Sequence, residues 1–264
     1  YQTALAFAQD ADATQLVQYW GDDVDFCFNG VQSELEYIAW KLVSGAGKLS
    51  FTTTNNATYA NEFDLDYDVD NERKVKTSSD WGNKSSADII GDLVKIIKAA
   101  KDQSLNPKFA FVNLDEFYKI ASADQIIKAC ASFAANALGI SQTPDLAAVN
   151  AMLARQAWLN GIQLRIIDQT VTREFTDGSS TSGNPFENSR LVLSENERLG
   201  STQYDILQED EQLILRAERA HTVIKKYGTI EPKSEVTIGQ ADAIPVFDTA
   251  YRNVYVRTDA QNWE

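Results

Sequence analysis

From about Ala11 to Val43 the apolar residues of this chain keep helical time. Val24, Phe28, Val31, Leu35, Ile38 and Leu42 follow one another at steps of four and three, and Leu16 and Trp20 extend the stripe backwards. Asp10 or Asp12 is placed to cap the start, and Ser44-Gly45 supplies the stop. A continuous helix of this span is about 48 Å long. A compact globule of this chain length is only about 45–50 Å across. The spacing therefore predicts a helix that crosses the whole molecule and an elongated shape. Gly21 and Gly30 are the points where it would break.

A β region follows. Lys48 to Thr54 is rich in Thr, and Asn55-Asn56 reads as a turn. Phe63, Leu65, Tyr67 and Val69 then alternate strictly with Asp64, Asp66, Asp68 and Asp70. That period of two predicts a strand over 63–70 with one buried face and one acidic face.

Residues 81–224 change character. Ser85 or Ser86 is placed to cap a helix through Ala100, with Ile89, Leu93 and Ile96 on one stripe. Lys108 to Asn113 reads as a buried strand. Asn113 caps a helix over Leu114–Ile120, and Ser122 with Gln125 forms a capping box that restarts it. A further helix is expected from Asp145 to Leu159, after Gly139 and Pro144. Ile162–Ile167 and Arg190–Leu193 read as strands. Between them, Thr176–Ser189 is a loop rich in Gly, Ser and Thr, with Asp177-Gly178 as a turn signal. Near the end, Ser234–Ile238 and Asn253–Arg257 are strand candidates, expected to return to the sheet begun near residue 50. The order of elements predicts an α+β molecule.

The inventory of reactive side chains excludes much. The 264 residues contain one His and two Cys, too few for a Cys/His zinc site. Cys27 and Cys130 sit in apolar contexts and read as free thiols. Any His-based triad must use His221, which reads as a partly exposed structural imidazole. With 24 Lys and Arg against 38 Asp and Glu, the net charge is −14, which opposes a phosphate-gripping surface. Residues 1–80 hold a net −9, residues 81–224 a net −4 and residues 225–264 a net −1. No uninterrupted apolar run reaches the roughly 20 residues of a membrane helix.

Three local patterns invite chemistry. Gly45-Ala46-Gly47-Lys48-Leu49-Ser50 resembles the end of a phosphate loop, but Leu42 and Leu49 stand where that loop needs Gly and a hydroxyl. The reading is a helix stop. Asp64, Asp66, Asp68 and Asp70 have the spacing that opens an EF-hand loop, yet neither frame supplies the later Gly and Glu. These four acids read as a solvated face that serves as a subunit contact or a weak cation face. The acid pairs Asp115/Glu116 and Glu195/Glu197 offer general acid–base hydrolysis in principle. No catalytic, cofactor-binding or metal constellation is assigned.

The segment order resembles the major capsid protein of tailed phages, most of all the lambda-type family, over about residues 22–258. The long helix ending at Leu42-Val43-Ser44-Gly45 and leading into Lys48–Phe51 resembles that family's spine helix and peripheral-domain sheet. The acidic strand Phe63–Asp70, then Asp80-Trp81 and a helix from Ala87, resembles the entry to the axial domain. Leu164–Asp168, a polar loop, Pro185–Leu193 and Leu199-Gly200-Ser201-Thr202-Gln203-Tyr204 resemble a strand–loop–strand passage followed by Gly-Thr-Tyr. Ala243-Ile244-Pro245-Val246 with Asn253–Val256 resembles the closing strands.

The resemblance implies a tailed-phage capsid fold: a long spine helix, a peripheral-domain β-sheet and a mixed α/β axial domain. The peripheral-type part is expected in 1–80 plus 225–264 and the axial-type part in 81–224. It implies a structural subunit of an icosahedral phage or prophage shell, made in the host bacterial cytoplasm and located in the virion capsid. Copies of itself in hexamers and pentamers are its implied partners, with scaffold or decoration proteins beside them. It implies no cofactor, no specific nucleic-acid binding, no membrane and no enzymatic activity. That family begins with an arm and an extended loop ahead of the spine helix. Almost nothing precedes residue 10 here, so the expectation is a trimmed piece, monomeric by itself. A bacterial nanocompartment shell is the near alternative. An acidic-site hydrolase or carbohydrate-binding module is the alternative from another class.

Overall fold

The computed structural model describes residues 13–52, 63–131, 142–159, 161–174, 178–205, 215–219, 221–230 and 234–263. The expected cap at Asp10 or Asp12, the Asn55-Asn56 turn, Gly139 and Asp177 lie outside these residues, as do the side chains of Leu16 and Trp20. Helix α1 runs unbroken over Ala13–Ser44, through both Gly21 and Gly30. Two compact units arise, one from 1–38 with 201–246 and the other from 39–200 with 247–264. These boundaries fall at different residues from the 1–80 plus 225–264 and 81–224 division expected above.

The larger unit is built on a five-stranded mixed sheet. Its members are β3 (Lys74–Lys76), β4 (Phe109–Asn113), β5 (Gln163–Ile167), β8 (Arg190–Ser194) and β14 (Val254–Arg257), in the order β3-β14-β8-β4-β5. The closing strand β14 pairs in parallel with β3 and antiparallel with β8. It does not join β1 (Lys48–Phe51), which pairs with β2 (Phe63–Asp66) alone among the described strands. The expected return to the first sheet is thus corrected. The physical reason is burial: Val254, Tyr255 and Val256 are all buried, which suits a central strand covered on both faces and not a hairpin edge.

Alternate residues of these strands feed two cores. Ala110, Val112, Leu191, Leu193, Val254 and Val256 face a layer of helices. The layer comprises α2 (Ile89–Asp102), α3 (Leu114–Ser122), α4 (Asp124–Cys130) and α5 (Leu146–Arg155). Phe111, Val192 and Tyr255 face the opposite way, onto Leu42 and Val43 at the end of α1 and onto Val69, with half-buried Leu65 and Tyr67 beside them. Phe111, Val192 and Tyr255 lie side by side in register, so one apolar row runs across the sheet. The Tyr255 hydroxyl donates to the Ala250 carbonyl at 2.8 Å, and burial raises the phenol far above its usual range.

The helix caps follow local chemistry. Asn113 Oδ1 accepts from the Glu116 amide at 2.7 Å and Asp145 Oδ1 from that of Ala148 at 2.8 Å. For α2 the cap is Asp88, whose Oδ1 accepts from Gly91 N at 3.1 Å, and not Ser85 or Ser86. The expected capping box at Ser122 is absent too. Gln125 turns away, accepting from Ile90 N at 3.0 Å and donating to Asp88 at 2.8 Å.

Beneath α2 lies a buried polar knot. Asp92 is 2% exposed, and its carboxylate accepts from Ser78 N, from Ser78 Oγ at 2.5 Å and from Trp81 Nε1 at 3.2 Å. Trp81 is fully buried. At the outer edge of the sheet, Asn150 does the work of a missing strand. Its Oδ1 accepts from Leu164 N at 2.7 Å and its Nδ2 donates to Leu164 O at 3.3 Å. The other edge, β3, is three residues long with a Lys at each end, a usual defence against strand addition.

Arg190 and Arg257 stand directly opposite in register, which would repel. Asp259 grips Arg257 at 3.0 and 2.5 Å, and the Trp263 ring lies 4.4 Å under Arg190. The carboxyl of Asp259 is lowered, chiefly by the hydrogen bonds from Arg257. The stretch expected as a polar loop over 176–189 instead carries half of a hairpin, β6 (Val171–Glu174) with β7 (Ser180–Gly183).

The smaller unit holds the first part of α1, a ribbon and a three-stranded sheet. The ribbon pairs β9 (Ser201–Asp205) with β13 (Asp242–Val246). The sheet has the order β10 (Leu215–Arg219), β11 (Thr222–Thr229), β12 (Ser234–Gln240). Helix α1 comes so close to β12 that a Cβ at Gly239 would stand 2.6 Å from the Cys27 carbonyl oxygen. The Cys27 thiol donates to Thr237 O at 3.6 Å.

Candidate subunit-contact surfaces

The acidic face is the first surface to place. Asp64 and Asp66 lie on β2, but the strand ends at Asp66, because Asp68 takes a left-handed backbone with φ of 49°. The expected strand over 63–70 is corrected to that extent. The left-handed turn is held by Asp66 Oδ1, which accepts from Asp68 N at 2.8 Å. The two-residue alternation of exposure nevertheless persists. Asp64, Asp66, Asp68 and Asp70 are exposed, while Leu65 and Tyr67 are half-buried and Val69 is buried.

The alternate residues pin this segment down. The Tyr67 hydroxyl accepts from Phe247 N at 2.9 Å, and Tyr251 donates to Tyr67 O at 2.7 Å. Among the acids, Asp66 pairs with Lys48 at 3.1 Å. Its carboxyl is lowered, first by the Asp68 amide and then by Lys48. Among the described residues no cation bridges Asp64, Asp68 or Asp70. No cluster of three or more His, Cys, Asp or Glu there is arranged to hold a metal ion.

The phosphate-loop look-alike is spent on backbone bonds. Gly45 N, Ala46 N, Gly47 N and Lys48 N donate to Lys41 O, Val43 O, Leu42 O and Gly45 O respectively. Gly47 has φ of 80° and backs onto Tyr67 and Val69 at 3.0–3.1 Å from where a Cβ would stand. None of these four amides remains to cradle an anion.

The acid pairs are tied into the structure. Glu116 is fully buried and takes Lys119 Nζ at 2.9 Å, while Asp115 is exposed. Glu195 accepts from Asn106 N at 2.8 Å and binds Arg252 at 2.6 Å, and Glu197 pairs with Arg165 at 3.2 Å. Glu116, Glu195 and Glu197 thus each serve an ion pair. His221 is half-buried, its Nε2 lies 2.9 Å from the Gln32 amide nitrogen, and the ring packs 5.8 Å from that of Tyr204. No acid or nucleophile among the described residues bonds to it. The thiols of Cys27 and Cys130 are free, and burial pushes both upward.

A second surface was not foreseen from sequence. On α2 the exposed side carries Lys95, Lys98 and Lys101. The Nζ atoms of Lys98 and Lys101 sit 4.5 and 5.5 Å from the ring centre of Trp158, which is 47% exposed. Among the described residues no carboxylate pairs with these lysines. The i, i+3 spacing of the lysines was a readable signal. Trp158, far along the chain, was not.

The β9–β13 ribbon is a third exposed element, with Thr202, Gln203, Tyr204 and Asp205 of β9 all open to solvent. A two-stranded ribbon of this length is marginal in water by itself. No described helix is long and apolar enough to cross a membrane.

No family model and no curated protein matches the chain. Solved structures do. A phage-related protein of Bordetella bronchiseptica RB50 matches over 73% of this chain and 58% of its own, with a TM-score of 0.46 and 13% identity. A protein of E. coli CFT073 described as a prophage capsid protein matches over 94% of this chain and 71% of its own, with a TM-score of 0.59 and 15% identity. The α+β architecture of this chain, with its long helix, two-sided central sheet and exposed ribbon, is a phage capsid-type fold.

Proposed function

We propose that the chain is a structural subunit of an icosahedral phage or prophage capsid that assembles into hexamers and pentamers. The observation that carries this reading is the capsid-type fold shared over nearly the whole chain. In this reading 1–80 with 225–264 is the peripheral-type part and 81–224 the axial-type part. The engaged acid pairs and the spent amides of the Gly45–Lys48 turn support a protein whose work is contact and not chemistry. Closed rings of one chain need surface patches that match the next copy, and the exposed acidic face Asp64, Asp66, Asp68 and Asp70 is one such patch.

Negative-stain electron microscopy of the full-length gene product tests the reading. Closed shells, or isolated five- and six-fold rings, are the expected result. Dispersed monomers from the intact chain at high concentration would refute it. Shells that carry protein cargo and never DNA would favour the nanocompartment alternative.

A further inference from the structure

The geometry points to a head-to-tail contact between copies, in which the Lys95–Lys98–Lys101–Trp158 patch of one chain receives the Asp64–Asp70 face of the next. This rests on the shell-subunit reading and names the surfaces that do the joining.

Three observations combine. First, the chain carries a net −14, yet the exposed side of α2 sets Lys98 and Lys101 against a half-exposed indole, with exposed Lys95 one turn before them. Such a patch suits a partner that is acidic and has aliphatic stems or backbone to lay over a ring. Second, among the described residues the Asp64–Asp70 face is short of cations, since Lys48 pairs with Asp66 and Lys74 acts on that same carboxyl. Third, the two surfaces belong to opposite layers of the same unit. Helix α2 covers one side of the five-stranded sheet through Leu93, Ile96 and Ile97. The acidic segment covers the other side through Leu65, Tyr67 and Val69. Within one chain the patches cannot neutralise each other. Matched between chains, they make a heterologous contact, the type that closes into rings when the rotation allows.

Nucleic acid is the other polyanion such a patch suits. The surrounding charge argues against it, because strong phosphate binding needs a broad basic footprint. An acidic neighbour needs only the local one.

The test is a charge-swap complementation in the full-length gene product, read by sedimentation velocity and electron microscopy. K98E/K101E makes both surfaces acidic, and D64K/D70K makes both basic. All four positions are exposed, so circular dichroism of each variant should match the parent. Each variant alone is expected to associate roughly tenfold more weakly than the parent, and an equimolar mixture to recover association. The parent's own association should weaken as salt rises from 0.05 to 0.5 M. A parent that assembles while both variants assemble equally well would overturn this contact and leave the shell reading standing. Variants that fail alone and also fail when mixed would overturn it too. A parent that never associates would sink the shell reading and this contact together. Binding of an oligo-dT probe to the parent, lost in K98E/K101E, would assign the patch to nucleic acid instead.

Discussion

Removing the Asp92 carboxylate tests the packing beneath α2 most sharply. Asp92→Ala takes an acceptor from three donors, and the cost differs for each. Trp81 Nε1 is sealed inside a fully buried side chain, so it is left orphaned at about 1–3 kcal/mol. Ser78 is exposed, so water replaces the carboxylate at its N–H and hydroxyl, and the loss there is about 0.5 kcal/mol each. Loss of a negative charge in the first turn of α2 adds about 0.5 kcal/mol. The total expected is about 3 kcal/mol, seen as a lower urea midpoint by far-UV circular dichroism. The decisive measurement is a double-mutant cycle with Trp81→Phe, which removes the buried donor. In that background Asp92→Ala should cost only about 1–1.5 kcal/mol, a coupling of about 1–2 kcal/mol. If the two changes add within about 0.5 kcal/mol, the orphaned indole is not the source of the loss and the reasoning fails.

Other outcomes follow from glycines and from acid. A methyl at Gly239 would meet the Cys27 carbonyl at 2.6 Å, so Gly239→Ala should force α1 from β12, cost about 1–3 kcal/mol and speed labelling of the Cys27 thiol by a maleimide. At Gly30 a Cβ meets nothing within 4 Å, so Gly30→Ala should raise stability by about 1 kcal/mol in a thermal melt. The Asp259 carboxyl is held below its ordinary value of 3.8 by Arg257. Its stabilisation is therefore complete above that pH and is lost as the pH falls through the lowered value. Asp259→Asn should lower stability at pH 7 and flatten the acid limb of a stability profile below about pH 4.

Much of this fold was legible in the sequence wherever burial has a period. The stripe of α1 shows that period, the cap at Asn113 shows by its residue type, and the strands at Phe109–Asn113, Gln163–Ile167, Arg190–Ser194 and Val254–Arg257 show as short apolar runs. The β6–β7 hairpin did not, because all four residues of β7 are exposed and polar residues leave no alternation to read. Strand β11 hid behind its pattern, in which Val223 and Ile224 are both buried and Lys225 and Lys226 follow. The pairing of β14 was beyond sequence reasoning, since its parallel partner β3 is only Lys-Val-Lys. Among the surfaces, the four acids were visible as a face. Where their strand would end was not, because the left-handed turn at Asp68 depends on a side-chain bond from Asp66. The Lys–Trp patch needed the fold to carry Trp158 to α2.

The amide of Asn150 across the Leu164 backbone has a consequence for crowding. Any dense array of identical chains brings sheet edges together far more often than dilute solution does. An open border on a rigid five-stranded sheet would then act as a seed for fibres, competing with ordered packing by speed and not by stability. With one border occupied by a side chain and the other reduced to a short, charged strand, that route is closed while the surface chemistry of the helices and acids stays free. Asn150→Ala should therefore leave the fold standing and shorten the lag before thioflavin-positive aggregates appear at high protein concentration.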